Sequence, residues 1–427
     1  MEQSRNDEVP HLAGLRYRLH LTAAQELLLV RTFGCIRWVV NRMISERQRR
    51  WREERKGMSY NDMSALLTKW KRDPEFAWLN EVSCVPLQQA LRHLDKAYGK
   101  FFKWCRSRVG PKVGYPKFLR KHDNQSAEFT TSAFGWDGRT LTMAKSKQPL
   151  DLVWTQIFWG DPSTMTISRE AHGTWWVSLL TEHDDQVLEG GRDAIGIDLG
   201  LVHYVIDDQG IKVDAPKPLK KALSKLAREQ RRHARKAKGG KNREKARRKV
   251  ARVHARVRRV RLDFLHKLSS RLIAENQVVC VETLRTAGML KNRRLARAIS
   301  DAAWGEFVRQ LEYKADWHGR TVVKISQWEP SSKKCSCCGH RLKELDLKVR
   351  VWTCPACSAV HDRDINAAKN IRIAGLAILA ERRNACGADV RRVDRKIAAQ
   401  TAKSGADWLR WKQEGPLGIR GEWKLAA

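Results

Sequence analysis

The sequence predicts a multidomain α+β protein whose α/β core is interrupted by a small cysteine-bearing insert. Three observations lead there. Helical periodicity dominates residues 21–109, and short alternating runs broken by glycine and proline fill 110–190. From residue 191 onward, apolar strand-like runs alternate with helices until Cys335-Ser-Cys-Cys338 and Cys354-Pro-Ala-Cys357 intervene.

Leu15-Arg-Tyr-Arg-Leu-His-Leu21 alternates apolar and basic residues and reads as a strand with one wet face. Thr22 then serves as N-cap of a helix carrying Leu27, Leu28, Val30, Phe33 and Cys35. The helical period persists to about Val109, for example at Leu87, Leu91, Leu94, Tyr98, Phe101 and Phe102. Beyond Gly110, runs such as Thr164–Ser168 and Thr174–Leu180 predict antiparallel strands of a small barrel or sandwich. Ala194 to Ile206 predicts a strand hairpin with Gly200 near its turn.

A basic helical hairpin follows over 217–268, with Gly239-Gly240 between its arms. Between Lys217 and Arg261 there are 21 Lys or Arg and two acids, Glu229 and Glu244. Both arms share one sign of charge almost without compensation, which favours phosphate contact over a merely solvated face. Gln277 to Val281 reads as a buried strand ending at Glu282, Ala302 to His318 as a helix stopped by Gly319, and Thr321–Ile325 as a further strand. A helix from Asp364 to Arg383 closes the core, and a poorly ordered tail is expected over 386–427.

The chain has 427 residues and a formal net charge of +36. A compact chain that basic repels itself unless a polyanion neutralises it, and nucleic acid is the expected partner. No segment is apolar enough to span a bilayer, and the N-terminus lacks a signal-peptide stretch, so a cytoplasmic or nucleoid location is expected.

Two Cys pairs separated by fifteen residues can supply four thiolates to one tetrahedral Zn²⁺. The two-residue gap selects Cys335 and Cys338 with Cys354 and Cys357, and leaves Cys337 free. His340 and His361 are fallback or outer partners. Four thiolates leave no open position for water, so this zinc is structural.

Three acids stand in apolar settings: Asp198 after a strand run, Glu282 at the end of another, and Asp364 at a helix start. Three carboxylates brought together by strand ends can hold two Mg²⁺ ions for phosphodiester hydrolysis. That is an RNase H-like arrangement. Asp362 competes with Asp364, which is preferred because Asn366, Ala367 and Ala368 then form a small-residue face allowing the sheet to approach. Of the 17 Trp residues, none is assigned to the site.

At these residues the sequence resembles the TnpB family of transposon-encoded, RNA-guided nucleases related to compact type V CRISPR effectors. The resemblance runs through Leu15 to Met43, Pro86 to Phe102, Gly196-Ile-Asp-Leu-Gly200, the basic hairpin and Leu295 to Ala302. It continues through Ser331 to Cys335 and, most specifically, His361-Asp-Arg-Asp-Ile-Asn-Ala-Ala-Lys-Asn-Ile371.

The resemblance implies a β-barrel wedge domain over 1–20 and 110–190, interrupted by a helical recognition lobe over 21–109. A RuvC nuclease domain would occupy 191–332 and 359–385, with the zinc ribbon at 333–358. The family's catalytic acids fall on Asp198, Glu282 and Asp364. It implies a guide RNA that pairs with target DNA, recognition of a short flanking motif, and Mg²⁺-dependent cleavage. The alternatives are a cleavage-deficient RNA-guided DNA-binding protein, which should lack at least one acid, an RNase H-like transposase, and a guide-free resolvase.

Overall fold

The computed structural model describes residues 11–121, 125–155, 158, 160–183, 187–346 and 348–385. The expected tail, with Trp408, Trp411 and Trp423, lies outside these residues. The chain divides into two compact units, Met1–Asp184 with Lys225–Ala255, and Asp185–Ser224 with Arg256–Ala427.

The first unit opens with strand β1 (His11–His20), followed by helices α1 (Ala23–Glu54), α2 (Tyr60–Arg72) and α3 (Cys84–Ser107). Thr22 caps α1 in a reciprocal box with Gln25, as its position before the first apolar turn predicts. Asp73 ends α2 and caps a short 3₁₀ turn at Pro74–Asn80, so the helical period read through this stretch hides a break. Six strands follow: β2 (Gln125–Thr130), β3 (Phe134–Trp136), β4 (Leu141–Met143), β5 (Asp151–Val153), β6 (Thr164–Arg169) and β7 (Trp175–His183).

β1 and four of these strands form an antiparallel sheet in the order β2-β6-β7-β1-β5, with β3 and β4 paired as a hairpin. β1 pairs β7 from His11 to Leu19 but reaches β5 only from Arg18 to His20. The sheet edges β2 and β5 do not pair with each other among the described residues, but Leu150, just before β5, bridges Leu141 of β4, and β4 pairs with β3. Helices and sheet share one core, in which Leu29, Met43, Leu87 and Leu91 join Phe129, Met165, Ile167 and Val177.

In the second unit, β8 (Arg192–Leu199), β9 (His203–Asp207) and β10 (Lys212–Asp214) lead into the basic helices α4 (Pro218–Ala234) and α5 (Lys241–Glu275). Each basic helix is divided between the two units. Then come β11 (Asn276–Glu282), α6 (Thr286–Met289), α7 (Ala296–Ala302), α8 (Trp304–Trp317) and β12 (Thr321–Ile325). The expected start of α8 at Ala302 is corrected to Trp304, because Ala303 turns into the left-handed region at φ 53°. The hairpin β13 (Val351–Thr353) and β14 (Val360–Asp362) belongs to the cysteine insert, and α9 (Arg363–Ala385) follows it.

The sheet of this unit runs β10-β9-β8-β11-β12, with β8, β11 and β12 parallel. Parallel strands are buried on both faces, which explains their unbroken apolar runs. One face packs Ile195, Ile197 and Val281 against Leu265 and Leu272 of α5 and Phe307 and Leu311 of α8. The other face packs Cys280, Val323 and Ile325 against Ile371 of α9.

Candidate active site and metal centre

The parallel register sets Ile197 beside Val281, so the next residues, Asp198 and Glu282, leave β8 and β11 side by side. Glu282 is itself paired with Ile325 at the end of β12. Two acids thus sit at the carboxyl edge of the sheet, where ligands of open α/β sheets bind.

The third acid arrives on α9. This helix lies hard against β8 at Gly196, where an added Cβ would run into the Ala368 carbonyl oxygen and lie 2.7 Å from the Arg372 Cβ. Gly196 and Asp198 share one face of the strand, and Asp364 and Ala368 share one face of the helix. The close approach of Gly196 to Ala368 therefore brings Asp364 up to Asp198.

The electrostatics agree with that convergence. Burial, followed by the charges of Glu282 and then Asp364, pushes the Asp198 carboxyl from its usual 3.8 up to about 7. Burial raises the Glu282 carboxyl as well. Carboxylates that resist ionising together are a ready site for divalent cations, whose charge removes the repulsion. Their oxygens do not close on a single point as the sulfurs described below do. An arrangement for two ions ~4 Å apart has no need of that closure.

Asp362 has a different job. Its Oδ1 accepts the amides of Asp364 (3.0 Å) and Ile365 (3.2 Å), capping α9, while its Oδ2 accepts Lys212 Nζ at 2.8 Å. Asp364 is held instead by Arg350, whose Nη1 stands 3.2 and 3.3 Å from the two carboxylate oxygens. Arg350 was not singled out in the sequence, where it lies in the insert without a distinguishing neighbour.

Cys335, Cys338, Cys354 and Cys357 bring their sulfurs within 4.8 Å of one another. Cys335–Cys357 and Cys338–Cys354 are each 3.6 Å apart. A tetrahedral Zn²⁺ with bonds of ~2.3 Å would space its sulfurs about 3.8 Å apart, so the quartet fits that ion. Burial pushes the Cys335 thiol up, but the amides of Cys338 and Cys337 and the neighbouring thiols bring it down to about 6, whereas Cys357 is pushed up to about 12. Four sulfurs at this separation ionise together only around a cation.

His361 sets its Nε2 3.0 Å from Cys335 Sγ, and its ring lies 4.7 Å from that of Trp352 at a tilt of 41°. It also forms a second cluster with Cys335 and the exposed Cys337. Asn366 is corrected from its expected place on a small-residue face. It is buried, accepts the Ser336 amide at 2.9 Å and donates to the Lys334 carbonyl at 2.7 Å. Asn370, one turn on, donates to the Ser331 and Lys334 carbonyls at 2.7 and 2.6 Å. The helix that carries Asp364 thus also grips the loop leading to the first cysteine pair.

Comparison with known proteins places this chain in a family. A family model described as "Probable transposase" matches residues 178–293, and one described as "Cas12f1-like, TNB domain" matches 304–371. A third, described as "Helix-turn-helix domain", matches 12–56, where this chain forms β1 and the single long helix α1. A Streptomyces pristinaespiralis protein, named as a candidate RNA-guided DNA endonuclease, is 48% identical over 379 residues, covering 88% of this chain and 91% of its own. The Escherichia coli K12 protein InsQ, named likewise, is 28% identical over 86% of this chain and 94% of its own. Among solved structures, a Cas12f1–sgRNA–target DNA complex matches 81% of this chain and 82% of its own at a TM-score of 0.51 and 15% identity, a likeness of fold. The extent and identity of these matches make the chain a member of the TnpB family.

Proposed function

We propose that this chain is an RNA-guided DNA endonuclease of the RuvC type, with Asp198, Glu282 and Asp364 as its catalytic acids. The observation that carries the reading is the convergence of these carboxylates at one sheet edge, with Asp198 held near neutrality by burial and by its two neighbours. The names of the relatives support the same activity.

Two Mg²⁺ ions held by the three acids would activate the attacking water and stabilise the leaving oxygen. The chain itself supplies the rigidity. Asp198 and Glu282 are fixed by the parallel register, Asp364 by the Gly196–Ala368 approach, and the Asp364 carboxylate is oriented by Arg350. The four-cysteine cluster would hold one structural Zn²⁺ and keep the insert folded beside α9.

In this reading 1–20 and 110–190 form the wedge domain, 21–109 the recognition lobe, and 191–332 with 359–385 the RuvC domain around the ribbon at 333–358. The cationic faces of the hairpin would contact phosphates of the guide RNA and its DNA partner, giving binding that weakens steeply with salt.

Sequencing the RNA that co-purifies with the full chain, expressed with its native flanking DNA, tests the guided reading. A single species ending in a segment that matches neighbouring DNA is expected. Absence of any enriched RNA would favour a transposase, the word in the description of one matching family model.

A further inference from the structure

Beside the sheet of the second unit lies an open cavity of about 560 Å³ whose lining includes none of the three acids or the four cysteines. Its inner wall is aromatic: Tyr204 is buried, and its ring meets Phe264 edge-on at 5.1 Å between centroids. Around it stand Lys217, Lys220, Arg294 and Arg297.

The one acid among the lining residues, Asp301, is already engaged. Its carboxylate accepts the amides of Leu219 at 2.9 Å and Lys220 at 3.3 Å, and Arg261 Nη2 at 2.7 Å. The Nε of Arg261 is buried and has no hydrogen-bond partner among the described residues. Lys217 is held at φ 46°, a left-handed conformation that a lysine adopts only where the surroundings impose it. The lining therefore offers an apolar aromatic floor, an excess of positive charge at its rim, and a buried donor without an acceptor.

A flat ring joined to an anion satisfies all three features. We infer that this cavity binds an unpaired nucleotide, its base against Phe264, which the buried Tyr204 backs, and its phosphate against the Lys and Arg rim. The base must be unpaired, because only then is its face free to lie on a side chain. The inference rests on the nucleic-acid reading of the chain, and adds to it a pocket outside the three acids. A nucleotide within a bound strand and a free mononucleotide share this chemistry.

The test uses the full chain loaded with its guide RNA and an oligothymidylate carrying one 4-thiothymidine, crosslinked by near-ultraviolet light. Crosslinks are expected in the peptide containing Phe264. Ala298 is an exposed lining residue, so Ala298→Trp blocks the mouth without disturbing the core. It should cut the crosslink yield about tenfold, the size expected for one lost stacking contact.

The surface double variant Arg294→Gln/Arg297→Gln should raise the half-saturating oligonucleotide concentration by a similar factor. Competition by excess free dTMP would identify a mononucleotide site, and competition by oligomers alone a site for a strand. Crosslinks mapping outside the cavity, or yields unchanged in both folded variants, would overturn the inference. If guided cleavage persists while crosslinks lie elsewhere, only the pocket fails. If pocket crosslinks form and guided cleavage is absent, only the nuclease reading fails.

Discussion

Replacing Asp198 by asparagine should stabilise the metal-free protein while removing its cutting activity. In the folded state burial and the charges of Glu282 and Asp364 lift the Asp198 carboxyl from 3.8 to about 7. A raised carboxyl pKa means that the folded state holds its proton longer than the unfolded state does. Its contribution is therefore fully present below the unfolded value near 4 and is lost as pH rises through 7. At about 1.4 kcal/mol per unit, the loss is of order 4 kcal/mol by pH 8, and roughly 2 kcal/mol has gone by pH 5.

An asparagine side chain carries no charge at either pH, so the stability of the Asp198→Asn variant should fall less between pH 5 and pH 8 than the parent's. The assay is denaturant unfolding in buffer free of Mg²⁺ and without a chelator that would strip an ion from the four cysteines. Adding Mg²⁺ should reverse the order, since an ion that binds only the folded state stabilises it by mass action. A variant no more stable than the parent at pH 8 without Mg²⁺ would refute the electrostatic account of this site.

The remaining predictions concern the same centre and its supports. Glu282→Ala and Asp364→Ala should each abolish cleavage in a plasmid assay and leave DNA binding by mobility shift unchanged. Arg350→Ala should lower the cleavage rate about tenfold or more by releasing Asp364, with Arg350→Lys recovering part of it, because a single nitrogen, Nη1, makes both contacts and an ammonium group can stand in its place. Gly196→Ala drives a methyl into the Ala368 carbonyl and should destabilise by roughly 1–3 kcal/mol in chemical denaturation, with cleavage lost as α9 is displaced. Cys354→Ser should reduce the zinc content from one ion per chain, read by elemental analysis, and lower the melting temperature.

Much of the local structure is legible in the sequence because it is periodic and short-ranged. The strand Thr321–Ile325, the β8–β9 turn region, the split of the basic hairpin at Gly239-Gly240 and the Thr22 cap all follow from residues within a few positions of one another. What is not legible depends on distant partners. The pairing of β8 with β11 joins residues more than eighty positions apart, and nothing local predicts that β11 sits between β8 and β12.

The same holds for the candidate site. Its acids stand out by their apolar settings and its cysteines by spacing. What distinguishes Asp362 from Asp364 in the fold is a lysine 150 residues away and the amides that Asp362 caps. Asn366 and Asn370 look like ordinary polar helix residues until the Ser331–Ser336 backbone is placed beside them. Arg350 is one cation among 83 Lys and Arg residues, and only the fold shows which carboxylate it meets.

The most direct test of the central claim is to exchange the guide segment of the bound RNA for one that matches a different DNA, and to map the cut. Guided cleavage predicts that the cut moves to the new match, requires Mg²⁺, and disappears in the Asp198→Ala chain. A cut that stays in place, or that proceeds without RNA, would contradict it.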